Sequence, residues 1–327
     1  MQVWSGSASA MVAVAALLAC LVTAHANAQA WPTRPIKLVV PYPPGASTDI
    51  VARSVAQKIA EPLGQPVLID NRGGASGSIG SDYVAKSVAD GYTFQIGTDA
   101  THASNVHLTR NFPYDPVRDF TAITAAVANI IVLVVHSGVP ANSVAALIEH
   151  AKRNPGRLGY GSSGTGSPHH LSGELLRQLV GIDIVHVPYK GGGPAVSDLL
   201  GGQIPMVFAS MATVAQHISS GKLRALGVIE PNRYAALPQI PTIGETVRGF
   251  ELSSWLGFFA PAGLPAPILA RLSTEIVKAL KSDDLRSKFE PAGLAVIGNS
   301  PAEFAAMVKA ATEGRGRLIK AAGIQPD

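Results

Sequence analysis

The sequence predicts an α/β protein of two lobes that are joined by two crossing segments. Short apolar strands repeatedly lead into Pro- or Gly-rich turns and then into helices, first at residues 36–59 and later at 158–167 and 184–195. Units of this kind build open sheets, and their loops meet at the carboxyl edge of the strands, where ligands bind. Two longer apolar segments, 123–136 and 252–260, are long enough to leave one sheet and enter another.

The first 30 residues have the features of a signal peptide. The apolar run at 11–22 is short for a membrane span, and Ala28-Gln-Ala30 has the small-x-small form of a cleavage site. No Lys or Arg precedes Arg34, although signal peptides normally begin with positive charge, so the true start codon stays open. A lipoprotein anchor at Cys20 is the less favoured alternative. We expect export to the periplasm.

The first strand, residues 36–40, must end where it does. Three of the next four residues are prolines, which cannot donate hydrogen bonds to a sheet. The polar residues 47–49 can each cap the helix that follows. This junction presents backbone N–H groups and the positive end of a helix, so we expect it to bind an anion.

The same pattern recurs at residues 67–80 and 92–102, before the first crossing segment. We predict a first lobe of residues 31–126 plus 253–327 and a second lobe of residues 127–252. Helical spacing of apolar residues at 267–280, and a further helix near the end of the chain, predict helices that pack back on the first lobe. Two lobes joined by two crossings form a hinge.

Composition excludes several functions. Hydrophobic residues make up 47% and charged residues 15% of the 327 residues, and the net charge of +4 is not concentrated in clusters interleaved with aromatic residues. Nucleic acid is therefore not expected as a partner. Cys20 is the only cysteine, so the mature chain would have no disulfide, catalytic thiolate or cysteine-bound metal. We expect a soluble monomer without cofactors.

Evidence for enzyme chemistry is weak. Residues 159–164 match G-x-G-x-x-G and Asp183 follows at a distance suited to a ribose contact, but this is one Gly-rich loop among several. The sequence has no H-E-x-x-H motif, and no G-x-S-x-G motif surrounds the serines of residues 162–167. His169 and His170 are adjacent and point in different directions on a helix, which disfavours a metal site. An exported enzyme or dinucleotide-binding protein remains the alternative function.

Motifs in order along the mature chain resemble those of the Bordetella uptake gene family, the extracytoplasmic solute receptors of tripartite tricarboxylate transporters. They occupy residues 31–49, 70–77, 112–120, 160–166, 187–195 and 199–203. The resemblance implies a type II periplasmic binding protein fold, whose lobes close on a small carboxylate. It also implies a two-component integral membrane permease as the partner. A ligand sensor for a membrane kinase stays open as another role.

In this family backbone amides and bridging water usually hold one carboxylate between two loops. Carried over to this sequence, the resemblance implies ligand contacts from Pro43, Pro44, Gly45, Ala46, Ser47, Thr48, Asp49, Ser163, Gly164 and Thr165. Ala46 stands where glycine is common in the family.

Specificity is expected from loops 98–102, 190–195 and 210–213. The candidates there and beside the carboxylate loops are Tyr42, Thr101, His102, Gly166, His169, Gly192, Ala195, Asp198 and Ser210. Asp198 is as well suited to capping a turn, and Tyr42 to the core, as to a ligand. An amino acid, a citrate-like acid, an aliphatic dicarboxylate and an aromatic carboxylate all remain possible ligands.

Overall fold

The computed structural model describes residues 31–321 and 323–326, so the predicted signal peptide and Cys20 lie outside the described residues. The chain forms two sheets. The first contains β1 (Ile36–Val40), β2 (Val67–Asn71), β3 (Thr93–Thr98), β4 (Phe120–Asn129), β10 (Trp255–Pro261) and β11 (Leu294–Val296), in the order β11-β4-β10-β3-β1-β2. The second contains β5 (Ile131–His136), β6 (Leu158–Ser162), β7 (Ile184–Pro188), β8 (Met206–Ser210) and β9 (Leu223–Val228), in the order β7-β6-β8-β5-β9.

Helices flank both sheets. They are α1 (Ser47–Leu63), α2 (Ser78–Ala85), α3 (Val144–Arg153), α4 (Pro168–Val180), α5 (Gly192–Leu200), α6 (Met211–Ser219), α7 (Ala266–Leu280), α8 (Asp283–Phe289) and α9 (Pro301–Ala321). After the chain returns through β10, α7 packs on α1 and β4, and α9 packs on β4. The α/β fold predicted from the sequence is confirmed.

The sheets are mixed rather than purely parallel. β1 runs parallel to β2 and β3, and β6 runs parallel to β7 and β8. β10 is antiparallel to β3 and β4, and β5 is antiparallel to β8 and β9, because the crossing strands enter each sheet from the other one. The chain changes sheets at Ile130. From Arg34 onward the described residues cluster as one compact unit, and the lobe boundaries at 126 and 252 stay a prediction.

Two local predictions need correction. α1 begins at Ser47 and its N-cap residue is Ala46, with φ −70° and ψ 160°, so residues 47–49 lie in the first turn and do not cap the helix. Gly159 and Gly161 lie within β6, not in a turn after it. A Cβ atom at Gly161 would come within 2.6 Å of Ile204 Cδ1, so this glycine serves close packing. The G-x-G-x-x-G match is therefore not a dinucleotide loop.

The sheets bury apolar side chains on both faces, as the sequence of the crossing strands requires. Every residue of β10 is buried, and β5 is buried over its first five residues. The sequences of such strands are continuous apolar runs because helices cover the sheet on both faces. In the part of the chain that is described, no helix is long and apolar enough to cross a membrane.

Candidate functional site

One pocket collects residues from both sheets and from the segments that cross between them. Its lining residues are Tyr42, Ala46, Ser47, Thr48, Thr98, Asp99, Asn129, Ser163, Pro168, His169, Gly192, Ser210, Thr213, Ser254 and Leu256. The cavity has a volume of about 40 Å³, which is room for a few waters. A ligand of this site must therefore be small, or the walls must move apart to admit it.

The N-termini of four helices lie at this pocket, and three of them lack a side-chain cap among the described residues. Ala46 precedes α1, Gly191 precedes α5 and Ser210 precedes α6, and none of these N-cap residues accepts a side-chain hydrogen bond from its helix. At α4, in contrast, Ser167 Oγ accepts a hydrogen bond from His170 N at 3.2 Å. Uncapped N-termini leave N–H donors and positive dipole ends free for an anion.

Asp49 fixes the loop between β1 and α1. Its carboxylate accepts hydrogen bonds from Gly45 N at 3.0 Å, from Arg53 Nε at 2.9 Å and from Asn71 Nδ2 at 3.0 Å. Burial alone would raise the pKa of Asp49, but these hydrogen bonds and the charge of Arg53 lower it. Asp49 thus fixes the conformation of the loop between β1 and α1 and does not line the pocket.

Three polar side-chain atoms of the pocket lining have no hydrogen-bond partner in the described part of the chain. They are Thr48 Oγ1, Asp99 Oδ1 and His169 Nε2. The other ring nitrogen of His169, Nδ1, lies 2.6 Å from Ser163 Oγ. Burial lowers the pKa of His169 to about 4, so its ring is neutral at pH 7. If Ser163 donates to Nδ1, Nε2 carries the proton and can donate to a ligand.

Polar residues at or beside the ends of the crossing strands form what we call the floor of the pocket: Asn129, Ser210, Ser254 and Asp99. Ser254 accepts a hydrogen bond from Asn129 N through its carbonyl oxygen at 2.9 Å, and Ser210 Oγ donates to Asn129 Oδ1. Asp99 follows β3 beside them, and its Oδ2 accepts a hydrogen bond from Arg315 Nη2 at 3.1 Å. Burial raises the pKa of Asp99 to about 6, against the charge of Arg315.

Comparison with known proteins identifies the family of this chain. The profile described as "Tripartite tricarboxylate transporter family receptor" matches residues 51–324. The chain belongs to that receptor family. It is 37% identical over 282 residues to BugT of Bordetella pertussis, with 86% of each chain covered, so the predicted resemblance to the Bordetella uptake gene family is confirmed.

Solved structures agree with this assignment. The receptor is similar to Rpa4515 of R. palustris, described with adipate, with 39% identity, a TM-score of 0.88 and coverage of 91% of this chain and 100% of that one. It is also similar to MatC of Rhodopseudomonas palustris with bound malate, with 29% identity, a TM-score of 0.84 and coverage of 88% and 100%. The family is one of transporter receptors, and the similar protein BugD is described as a periplasmic binding protein, so the expectation that the chain is not an enzyme is confirmed.

The structure places eight of the predicted site residues around the pocket of the receptor: Tyr42, Ala46, Ser47, Thr48, Ser163, His169, Gly192 and Ser210. It places the others outside the lining: Pro43, Pro44, Gly45, Asp49, Thr101, His102, Gly164, Thr165, Gly166, Ala195 and Asp198. Whether any of them contacts a ligand stays a prediction.

Several of these outer residues have other partners. His102 is fully buried and stacks on Phe259 at 3.7 Å between ring centroids, and burial lowers its pKa to about 3. Thr101 Oγ1 accepts a hydrogen bond from Thr98 N at 2.9 Å. Asp198 accepts one from Tyr189 OH at 2.8 Å. None of these three side chains lines the pocket.

Gly164 and Gly166, in the loop between β6 and α4, approach residues of the first-sheet side of the protein and do not line the pocket. A Cβ atom at Gly164 would lie 2.6 Å from Ser76 Oγ, and one at Gly166 would lie 2.8 Å from Asn105 Oδ1. The loop therefore comes close to the turn before α2 and to the segment after β3. Glycine is required here by the approach of the two sides of the receptor to each other.

Sequence reasoning missed Asn129, Pro168, Ser254 and Leu256, and it included Thr98, Asp99 and Thr213 only as members of loops. Asn129 and Ser254 belong to the apolar crossing segments, which were interpreted as a hinge. The available signal was that both are polar residues at the ends of otherwise apolar strands.

Proposed function

We propose that this receptor captures a small carboxylate in the pocket between its sheets and delivers it to a two-component integral membrane permease. The observation that carries the proposal is the meeting of three uncapped helix N-termini at one pocket whose described lining contains no Lys or Arg. We infer that the protein works in the periplasm as a monomer whose lobes, residues 31–126 plus 253–327 and residues 127–252, close on the ligand.

An anion gains its binding energy here from dipoles and hydrogen bonds. Helix N-termini favour negative charge through their aligned peptide dipoles and free N–H groups. Thr48 Oγ1 and His169 Nε2, which have no partner among the described residues, add two further groups that can donate. A carboxylate has acceptor sites for several donors at once, so it matches this set. The adipate and malate in the structures of Rpa4515 and MatC support the same class of ligand.

A thermal-shift assay tests whether the receptor binds a carboxylate. We expect at least one member of a panel of mono-, di- and tricarboxylates and amino acids to raise the melting temperature of the receptor. A ligand at a hundred times its dissociation constant should stabilise the folded protein by about 2.7 kcal/mol. Neutral sugars are the control. A shift with a sugar and with no carboxylate would contradict the proposal.

Replacing Thr48 with valine is expected to weaken binding of that carboxylate by about tenfold, because one hydrogen bond to a charged group is lost. The melting temperature of the free protein should hardly change, since Thr48 Oγ1 has no partner to lose within the described residues. Isothermal titration measures the affinity. Thr312→Val is the matched control, because Thr312 Oγ1 donates to His102 O at 3.0 Å and its loss should lower stability without changing affinity.

A further inference from the structure

The described lining of the pocket carries a single negative charge that no positive lining residue balances. Among the described lining residues, Asp99 is the only one that is charged at neutral pH, because the ring of His169 is neutral. Asp99 is fully buried, so water does not satisfy it. A buried carboxylate in the wall of a site for anions needs an explanation, since like charges repel and burial intensifies the repulsion.

Burial raises the pKa of Asp99, whereas hydrogen bonds from Arg315, from the Ala100 backbone and from the Ser254 side chain lower it. These contacts still leave one oxygen of the carboxylate without a partner in the described chain. Oδ2 accepts the hydrogen bond from Arg315 Nη2, whereas Oδ1 has no hydrogen-bond partner in the described chain. Arg315 has a second partner, because the same Nη2 atom donates to the carbonyl oxygen of Ser253. The ion pair therefore fixes Asp99 in place on the floor of the pocket and leaves one oxygen as an acceptor.

We propose that Asp99 is a specificity-determining residue that selects carboxylates carrying an ammonium group, that is, amino acids. The inference rests on the proposed carboxylate function. The ligand carboxylate lies at the uncapped helix N-termini, and the ammonium group donates to Asp99 Oδ1. A zwitterion satisfies both partners and adds no net charge to the buried site.

A ligand with a second carboxylate and no donor fits this floor poorly. Its second anionic group would face Asp99, and the nearby guanidinium of Arg315 already binds Asp99 and Ser253. Asn129, Ser210 and Ser254 line the floor as uncharged groups. They can bind either kind of ligand and do not offset the repulsion, so Asp99 decides between the two.

Matched ligands test the inference on the unaltered receptor. Isothermal titration compares aspartate with succinate, glutamate with glutarate, and 4-aminobutanoate with butanoate, since the members of each pair differ by the ammonium group. We expect the amino acid of the best-bound pair to bind at least about tenfold more tightly. Equal or reversed affinities in every pair would overturn the role of Asp99 and leave the carboxylate site standing. If no carboxylate of any kind binds, the proposed function itself fails and this inference fails with it.

Variants show which residue makes the selection. Asp99→Asn should abolish the preference for the amino acid. If this variant does not fold because Arg315 loses its partner, the double variant Asp99→Asn and Arg315→Gln removes both charges and should give the same result. Asp284→Asn is the control, because Asp284 pairs with Lys58 on the surface and its loss should leave the preference unchanged. A folded variant that lacks the Asp99 carboxylate and keeps the preference would overturn the inference.

Discussion

Replacing Gly164 with valine is expected to weaken ligand binding by about a hundredfold, which corresponds to roughly 2.7 kcal/mol against the closed form. Gly164 has φ +126°, a backbone conformation that L-residues rarely adopt. Its Cβ would also lie 2.6 Å from Ser76 Oγ on the other side of the receptor. The valine should therefore hold the two sides apart. Isothermal titration with the best ligand of the carboxylate panel measures the loss.

The turn that Gly164 contacts has little freedom to move away. Ser76 itself has φ 51°, and its carbonyl oxygen accepts hydrogen bonds from Tyr42 OH and Asn105 Nδ2, each at 3.1 Å. Moving Ser76 would disturb Tyr42, which lines the pocket. The contact between the loops is thus linked to the lining of the pocket by a direct hydrogen bond.

Gly181→Val provides the control for backbone strain alone. Gly181 has φ +63°, and an added Cβ atom would meet no other atom within 4 Å, so this variant should lose stability and keep its affinity. The smaller variant Gly164→Ala should also bind more weakly than the unaltered receptor. Adding Ser76→Ala to it should restore part of the affinity, because that change removes the Oγ atom nearest to the added methyl group. Unchanged affinity in Gly164→Val would show that the loops do not need to meet for binding.

The sequence predicted the parts of the site that depend on local rules. Prolines after Val40 end β1, and a Gly-rich turn leads into α5, whose N-cap residue is Gly191. Both features follow from residues within a few positions of each other. The predicted position of the cap of α1 was wrong because a first-turn Ser or Thr and an N-cap Ser or Thr look alike in a sequence.

The floor of the pocket could not be predicted in the same way. Asn129 and Ser254 are 125 positions apart and meet only because β10 returns antiparallel beside β4. The partner of Asp99, Arg315, comes from the last helix of the described chain. Contacts of this kind depend on the pairing of the crossing strands, and no local pattern in a single sequence encodes that pairing.

A buried carboxyl group also lies where the two crossing segments meet. Glu230 Oε1 accepts a hydrogen bond from Ile131 N at 3.2 Å, just after the first crossing. Its Oε2 has no partner within the described residues. Ile229, beside it, accepts a hydrogen bond from Leu252 N at 3.2 Å, which belongs to the returning segment. Burial raises the pKa of Glu230 to about 8, against the backbone hydrogen bonds around it.

Glu230→Gln is therefore expected to stabilise the receptor increasingly as the pH rises. A carboxyl group whose pKa is raised on folding favours the folded state below its unfolded pKa, about 4.5, and that contribution is lost as the pH rises towards 8. Glutamine resembles the protonated form and does not titrate. The gain in the free energy of unfolding should be small at pH 5 and reach on the order of 3 kcal/mol at pH 8. Denaturant unfolding of both proteins at several pH values measures it.

Glu245→Gln should show the opposite trend and is the matched control. Glu245 forms an exposed ion pair with Arg233 and accepts a hydrogen bond from Thr242 N at 3.0 Å. The hydrogen bond from Arg233, and then that from Thr242, lower the pKa of Glu245 to about 2. The ionised form favours folding, so glutamine should destabilise the receptor at neutral pH, and the difference should fade as the pH drops below 4. If Glu230→Gln instead destabilises the receptor at pH 8, Glu230 is ionised in the folded protein and a partner for its charge stabilises the crossing segments.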